Sequence, residues 1–170
     1  MRVTEDDLRA TYDKLLHAER ARLGYRLAWI VIHGGQAERE RLADRIAATA
    51  RNGVDSGGRS VDFTDLARSF SDDTPTRPMG GDLGTHQPGD LAQLIEDEAQ
   101  KLDVGGISAP FRFKDDLVII KVLWREPSRM PSFEGARDEL IQRSYGEQMQ
   151  KARRQWIDEL RRAMYVDIRL

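Results

Sequence analysis

The apolar residues nearest the start of the chain recur at helical spacing, which predicts an amphipathic helix over residues 5–23. Thr4 suits its N-cap, because acidic residues fill the first turn and Asp7, three positions on, resembles a capping-box partner. Gly24 suits its end. The apolar face comprises Leu8, Tyr12, Leu15, Leu16 and Leu23. We therefore expect this helix to pack against another part of the chain.

The next segment, from Arg26 to His33, is short, β-branched and aromatic, and two glycines follow it. Such a run is typical of a strand buried on both faces, so we predict the central strand of a sheet here. Two helices are expected next: a solvent-facing one over residues 36–51, ended by Asn52 and Gly53, and a packed one over residues 61–70.

Prolines and glycines dominate residues 71–89, which predicts turns and loops interrupted only by the short segment Asp82–Gly84. Asp90 suits the N-cap of a helix that runs through Lys101. Two further strands are expected over residues 107–113 and 117–123, joined by a tight connection.

The last segment predicts one long, highly charged helix, capped by Ser132 and running through about Tyr165. Its apolar stripe is Phe133, Ala136, Leu140, Met149, Ala152, Trp156, Leu160 and Ala163. The stripe is too thin for ordinary core, so we expect this helix to pack against the first one. The predicted organisation is an N-terminal helix (1–24), a compact α+β centre (25–125) and a C-terminal helix (126–170), the two helices forming an appendage.

Composition narrows the possible functions of these 170 residues. With 27 basic and 29 acidic side chains, the net charge of −2 gives no general field for nucleic acid. The absence of cysteine excludes disulfides, thiolate metal sites and thiol nucleophiles. The longest apolar run, Leu27–Ile32, is far short of the roughly twenty residues that span a bilayer. The N-terminus lacks a signal-peptide layout, which indicates a cytoplasmic protein or a piece of a longer exported chain.

The sequence contains no complete motif of the common catalytic or metal-binding types. The three histidines, His17, His33 and His86, show no metal-ligand spacing, and we expect no metal site. A Ser-His-Asp arrangement stays open, although the chain has no G-x-S-x-G elbow. The glycine-bearing run over residues 79–84 lacks the lysine and the helix start of a phosphate loop.

A series of short motifs is more informative because of its order along the chain. After the first strand and the charged helix come F-x-x-L-A-x-x-x-S (Phe63, Leu66, Ala67, Ser71), G-G-D-L-G (Gly80–Gly84), G-D-L (Gly89–Leu91), G-I-S-A-P (Gly106–Pro110) and the strand L-V-I-I-K (Leu117–Lys121). Over residues 26–125 this series resembles the parvulin family of peptidyl-prolyl cis/trans isomerases. The flanking helices are similar to those of SurA-like and PrsA-like foldases.

The resemblance implies a fold and a reaction. The fold is α+β, with a small antiparallel or mixed four-stranded sheet surrounded by helices. The reaction is rotation about Xaa-Pro bonds, whose barrier of roughly 18–20 kcal/mol comes from amide resonance. No bond is cleaved, so the resemblance implies no cofactor, no metal and no nucleophile. The implied partners are unfolded or proline-containing polypeptides.

The resemblance also assigns candidate site residues, with departures from the family pattern. Trp29 and Val118 stand at the two positions where the family carries its floor histidines. Leu91 and Ile95 match the methionine and the aromatic residue of the proline pocket. Asp73 matches the aspartate or cysteine near the reacting carbonyl and is the implied catalytic residue.

His86 is a further substrate-binding candidate, because it falls where the family often has an aromatic residue. Each candidate also has a plainer interpretation. Trp29 and Val118 are most simply core residues of adjacent strands, Trp29 filling the volume of two imidazoles. Asp73 suits a turn, and both His86 and His33 suit the surface.

Two functional hypotheses follow. The first is an isomerase domain of a periplasmic or otherwise exported foldase, its activity weakened by the loss of both histidines. The second is a non-catalytic chaperone module that holds clients on the same scaffold and along the helical pair. The thin stripe of the last helix also raises the hypothesis of a homodimer formed through the terminal helices.

Overall fold

The computed structural model describes residues 4–34 and 36–164. Its elements, in chain order, are α1 (Glu5–Arg20), β1 (Tyr25–His33), α2 (Ala37–Asn52), α3 (Phe63–Phe70), a 3₁₀ turn (Arg77–Met79), β2 (Asp82–His86), α4 (Gln93–Gln100), β3 (Phe111–Phe113), β4 (Asp116–Arg125) and α5 (Phe133–Met164). They fall into two compact units. We call Glu19–Ser128 the sheet unit, and Met1–Ala18 with Arg129–Leu170 the helical unit.

The sheet unit is built on one four-stranded sheet in the order β2-β1-β4-β3, and every pair of neighbours is antiparallel. The predicted central strand is confirmed, since β1 lies between β2 and β4. Its register places Trp29 opposite Ile120 and Val31 opposite Val118. The expected α+β fold with a small four-stranded sheet is therefore confirmed.

Alternation along the strands sends successive side chains to opposite faces of the sheet, and each face has its own core. One face packs against α2 and α3 through buried residues that include Ile30, Ile32, Ile119, Ala43, Ile46, Phe63 and Leu66. The other packs against α4 through Tyr25, Leu27, Val31, Val118, Ile120, Val122, Ile95 and Ala99. With helices on both faces, the continuous apolar sequence of β1 is explained.

The prediction for residues 71–89 left only the short interruption Asp82–Gly84 among turns and loops, whereas the structure has a five-residue strand there, β2. Residues Asp82–His86 pair with β1, from Tyr25 opposite His86 to Ala28 opposite Asp82. The Asp82 carboxylate binds the Arg26 guanidinium, which lowers the pKa of Asp82, and accepts the Gly84 amide at 2.8 Å. This edge strand has a central glycine and no apolar alternation, so pairing with β1 rather than local pattern determines it.

Several predicted boundaries also needed correction. The strand expected over 107–113 is regular only at Phe111–Phe113, because Pro110 has no amide hydrogen for the ladder. Helix α4 begins at Gln93 and its N-cap is Ala92 rather than Asp90, whose carboxylate accepts the Gln87 amide at 2.7 Å in the preceding turn. Helix α1 ends at Arg20, three residues before the predicted end.

In the helical unit, α1 and the first half of α5 pack together. Leu8 forms a buried cluster with Ala136 and Leu140. The Tyr12 ring meets Phe133 edge to face, with 5.5 Å between centroids. The predicted cap of α1 is confirmed: the Thr4 hydroxyl accepts the Asp7 amide at 3.2 Å, while the Asp7 carboxylate accepts the Thr4 amide at 3.0 Å. The Thr4 amide, together with the Thr4 hydroxyl that donates to the same carboxylate oxygen at 2.7 Å, lowers the pKa of Asp7.

The second half of α5 carries an exposed apolar stripe. Met149, Trp156 and Leu160 are 72 %, 62 % and 41 % exposed. The expected end near Tyr165, and the side chain of Ala163, lie outside the described residues. Across residues 4–34 and 36–164, every helix is too short or too polar to cross a lipid bilayer.

Candidate functional site

One apolar surface gathers four of the sequence-predicted site residues. We define the apolar floor as Trp29, Leu83, Leu91, Ile95, Phe111, Phe113 and Val118, which belong to the core cluster on the α4 side of the sheet. Ile95 and Val118 are 2 % and 1 % exposed, so they support the floor from beneath. The other five are half-buried and form its outer layer. The sequence predicted Leu91 on the helix, but it lies in the turn before α4.

Asp73 lies beside Trp29, although 44 positions separate them along the chain. The indole Nε1–H of Trp29 donates to Oδ2 of Asp73 and to Oγ1 of Thr76, each at 3.0 Å. The Thr76 hydroxyl in turn donates to the same carboxylate oxygen. Trp29 therefore does more than fill the volume of two imidazoles, because it binds the predicted catalytic carboxylate.

The segment that carries Asp73 is anchored on β1. The Asp72 amide donates to the Val31 carbonyl at 2.7 Å, and the buried Ser71 hydroxyl accepts the Val31 amide at 3.2 Å. Further along, the Trp29 amide donates to the Gly81 carbonyl at 2.9 Å. Both the backbone and the indole of Trp29 are thus bound to residues 71–81, which fixes the carboxylate against the sheet.

A buried carboxylate, Glu96, organises the turn that carries Leu91. Its Oε1 accepts the Tyr25 hydroxyl at 2.5 Å, the Gly89 amide at 2.8 Å and the Leu91 amide at 3.3 Å. Burial, reinforced by the hydrogen bond to Glu96, raises the pKa of Tyr25. Three donors compensate the cost of burying this carboxylate. Glu96 therefore holds Leu91 in place within the outer layer of the floor.

Glu96 and Thr76 are not among the site residues predicted from the sequence. Glu96 follows the apolar Ile95 on a charged helix, where an acidic residue is typical of the solvent face. Thr76 lies in a proline-bearing loop, where hydroxyl residues are common. No sequence signal separates either residue from its neighbours, because both roles depend on contacts with β1.

His86 proved to be half-buried, and the expectation of a surface residue was wrong. Its Nε2 lies 2.9 Å from the Leu83 carbonyl, which assigns the proton to Nε2, and its ring centroid is 6.2 Å from that of Tyr25. His86 therefore borders the floor through Leu83. His33 is exposed as expected, and its hydrogen bond to Asp116 raises the pKa of His33.

The geometry offers an apolar surface with one fixed carboxylate at its edge. The residues at the two family histidine positions, Trp29 and Val118, do not titrate, so neither exchanges protons with a bound chain. Rotation of an amide requires no proton transfer, and the arrangement remains suited to binding a proline ring beside a charged group.

The family model and the curated relatives that match this chain agree on one family. The model of the PPIC-type PPIase domain, or rotamase, matches residues 30–123. The chaperone SurA of Alkalilimnicola ehrlichii is 38% identical over 108 residues, which cover 64% of this chain and 25% of the relative. A second SurA, from Chromohalobacter salexigens, is 30% identical over 148 residues, or 85% of this chain and 32% of the relative. The chain thus spans about a quarter to a third of these curated relatives.

Solved structures show the same fold. The peptidylprolyl isomerase PrsA from Bacillus anthracis aligns with a TM-score of 0.53 at 22% identity, covering 85% of this chain and 56% of that one. A chain from the work on two SurA-like chaperones of Campylobacter jejuni aligns with a TM-score of 0.51 at 17% identity, covering 96% of this chain and 63% of that one. The family model spans more than half of the sequence, and we conclude that this chain belongs to the PpiC-type (parvulin) peptidyl-prolyl isomerase family.

Proposed function

We propose that the sheet unit binds proline-containing segments of unfolded polypeptides on the apolar floor and accelerates Xaa-Pro rotation, as one module of a longer foldase. The observation that carries this proposal is the convergence of Trp29, Leu91 and Asp73, from three separate segments, on one face of the sheet. The family match supports the type of reaction.

The mechanism depends on the electronic structure of the amide. In the planar amide, resonance places partial negative charge on the carbonyl oxygen, and the twisted transition state loses part of that charge. An apolar floor and the anionic Asp73 both disfavour the charge-separated planar form more than the twisted one. The difference in interaction lowers the barrier without any covalent step.

The replaced histidines limit the expected rate. Trp29 supplies apolar surface and Val118 supports the floor from beneath, but neither has an ionisable group, and the Trp29 Nε1–H is already engaged by Asp73 and Thr76. We therefore propose weak catalysis, with the floor retaining its capacity to bind proline.

Two substitutions test the site. We expect Asp73→Ala and Leu91→Ala each to slow catalysed exchange of a short Xaa-Pro peptide, the second by about tenfold because it removes roughly 1–1.5 kcal/mol of apolar contact. Two-dimensional exchange NMR measures both rates. Leu94→Ala is the matched control, since Leu94 is an exposed leucine of α4 outside the floor. Equal rates in wild type, Asp73→Ala and Leu91→Ala would show that the site lies elsewhere.

A second candidate function is client holding without catalysis. The replacement of both family histidines, by Trp29 and Val118, favours it, because neither residue carries an ionisable group. Suppression of the aggregation of a model client without accelerated isomerisation would support holding. Full client binding after deletion of residues 132–170 would exclude a binding site on α5.

The partners and location are proposed with the same function. Exposed Met149, Trp156 and Leu160 on α5 support a homodimer formed through the terminal helices. Sedimentation showing only monomers at high concentration would refute it.

We also propose an extracytoplasmic location, since one of the two SurA-like chaperones named with the Campylobacter structure is described as periplasmic. A signal peptide or lipid-anchor cysteine encoded upstream would establish it, and an in-frame cytoplasmic domain would contradict it.

A further inference from the structure

We propose that Thr76 is a positioning residue, which acts with the Trp29 indole to fix the Asp73 carboxylate at the edge of the floor. The functional part of this inference rests on the proposed role of the floor in binding proline, whereas its geometric part can be tested in the free protein.

Two donors converge on one oxygen of the Asp73 carboxylate. Oδ2 of Asp73 accepts both the Trp29 Nε1–H and the Thr76 hydroxyl, and the same hydroxyl oxygen accepts from Trp29. The three side chains therefore form a closed triangle of hydrogen bonds. Within the described part of the chain, Oδ1 of Asp73 has no such partner, so it is the oxygen available to a bound polypeptide.

Thr76 is itself held in place by backbone hydrogen bonds. Its carbonyl accepts the amides of Met79 and Gly81, each at 2.9 Å, and the Gly81 carbonyl accepts the Trp29 amide. The Arg77 amide donates to the Asp73 carbonyl at 2.9 Å. Thr76 is thus joined to Asp73 and Trp29 by its side chain, and indirectly by backbone bonds through Arg77 and Gly81, which restricts the position of its hydroxyl.

These hydrogen bonds restrict one torsion of the Asp73 side chain. The χ2 angle of aspartate is broad and roughly two-fold, so a carboxylate with one donor samples several orientations. A second donor on the same oxygen removes most of that freedom. Since a fixed charge acts on a rotating amide only if it does not reorient, the hydroxyl contributes through Asp73 rather than by touching the substrate.

The test combines a spectroscopic signature with a rate. We expect Thr76→Val, which keeps the shape but removes the hydroxyl, to shift the Trp29 indole ¹H–¹⁵N resonance and to slow catalysed Xaa-Pro exchange about fivefold. Thr76→Ser should restore the resonance position and the rate to within about twofold of wild type, because it keeps the donor. Asp73→Asn should shift the same resonance, since the indole then loses its charged acceptor. The Trp29 resonance is identified by its loss in Trp29→Phe.

The outcomes separate this inference from the proposed function. If Thr76→Val leaves the indole resonance and the exchange rate unchanged, or if Thr76→Ser behaves like Thr76→Val, the positioning role is refuted. If wild type shows neither exchange nor peptide binding, the proposed function fails. In that case the indole resonance alone still decides whether Thr76 and Asp73 hold Trp29 as inferred.

Discussion

Replacing Gly81 with alanine is expected to destabilise the protein by about 3 kcal/mol or more, because strain and overlap combine at this position. Gly81 has φ +80°, where a side chain is disfavoured. A Cβ there would lie 2.0 Å from the Trp29 carbonyl oxygen and 3.3 Å from the Ala67 Cβ. The oxygen belongs to the backbone of the central strand, so it cannot move aside without displacing Trp29 from the floor.

A matched control separates the two causes. Gly84 has nearly the same φ, +81°, but a Cβ added there meets no atom within 4 Å. Gly84→Ala should therefore cost only the backbone strain, about 1–2 kcal/mol. Denaturant unfolding of both variants measures the difference. Equal losses of stability would mean that the close approach of Gly81 to Trp29 is absent in solution.

Glu96→Ala is the second change for which we expect a large effect, a loss of about 3 kcal/mol or more. The substitution leaves the Tyr25 hydroxyl and the amides of Gly89 and Leu91 without their shared acceptor. Glu96→Gln should cost less, about 1 kcal/mol, because a neutral amide oxygen still accepts but more weakly than a carboxylate. Thermal or denaturant unfolding measures both values.

The control for Glu96 is Glu98, two positions along α4. Its carboxylate pairs with Lys101 at 2.6 Å on the surface. Glu98→Ala should change stability by less than about 1 kcal/mol, as exposed pairs generally do. The account of Glu96 fails if the alanine variants at the two positions are equally stable. Because Glu96 holds the turn that carries Leu91, its loss should also weaken proline-peptide binding.

The fold was largely predictable because the sequence pattern and the tertiary contacts agree along most of the chain. The periodicity of α2, α3 and α5 and the apolar run of β1 predicted elements that the structure confirms. The edge strand β2 was not predictable in this way. Its residues carry no alternating pattern, and its ladder exists only because β1 offers free backbone groups at Tyr25–Ala28.

The candidate site shows the same division. The resemblance to the family named Trp29, Leu91, Ile95 and Val118, and the structure brings all four into one cluster, although their roles in binding remain predictions. The hydrogen bond from the Trp29 indole to Asp73 was not predictable, because it depends on how residues 71–81 return to β1. From the sequence, a tryptophan in place of a histidine changes mainly the side-chain volume. The structure shows that the indole Nε1–H of Trp29 is also a hydrogen-bond donor to Asp73.

The central claim is that the apolar floor binds proline, and NMR titration followed at the Trp29 indole resonance tests it most directly. We expect this resonance to move saturably with a short Xaa-Pro peptide, and to stay in place with a control peptide that has alanine instead of proline. The indoles of Trp124 and Trp156, which lie outside the floor, should be unaffected. An unmoved Trp29 resonance at saturating peptide, or equal shifts with both peptides, would contradict the account.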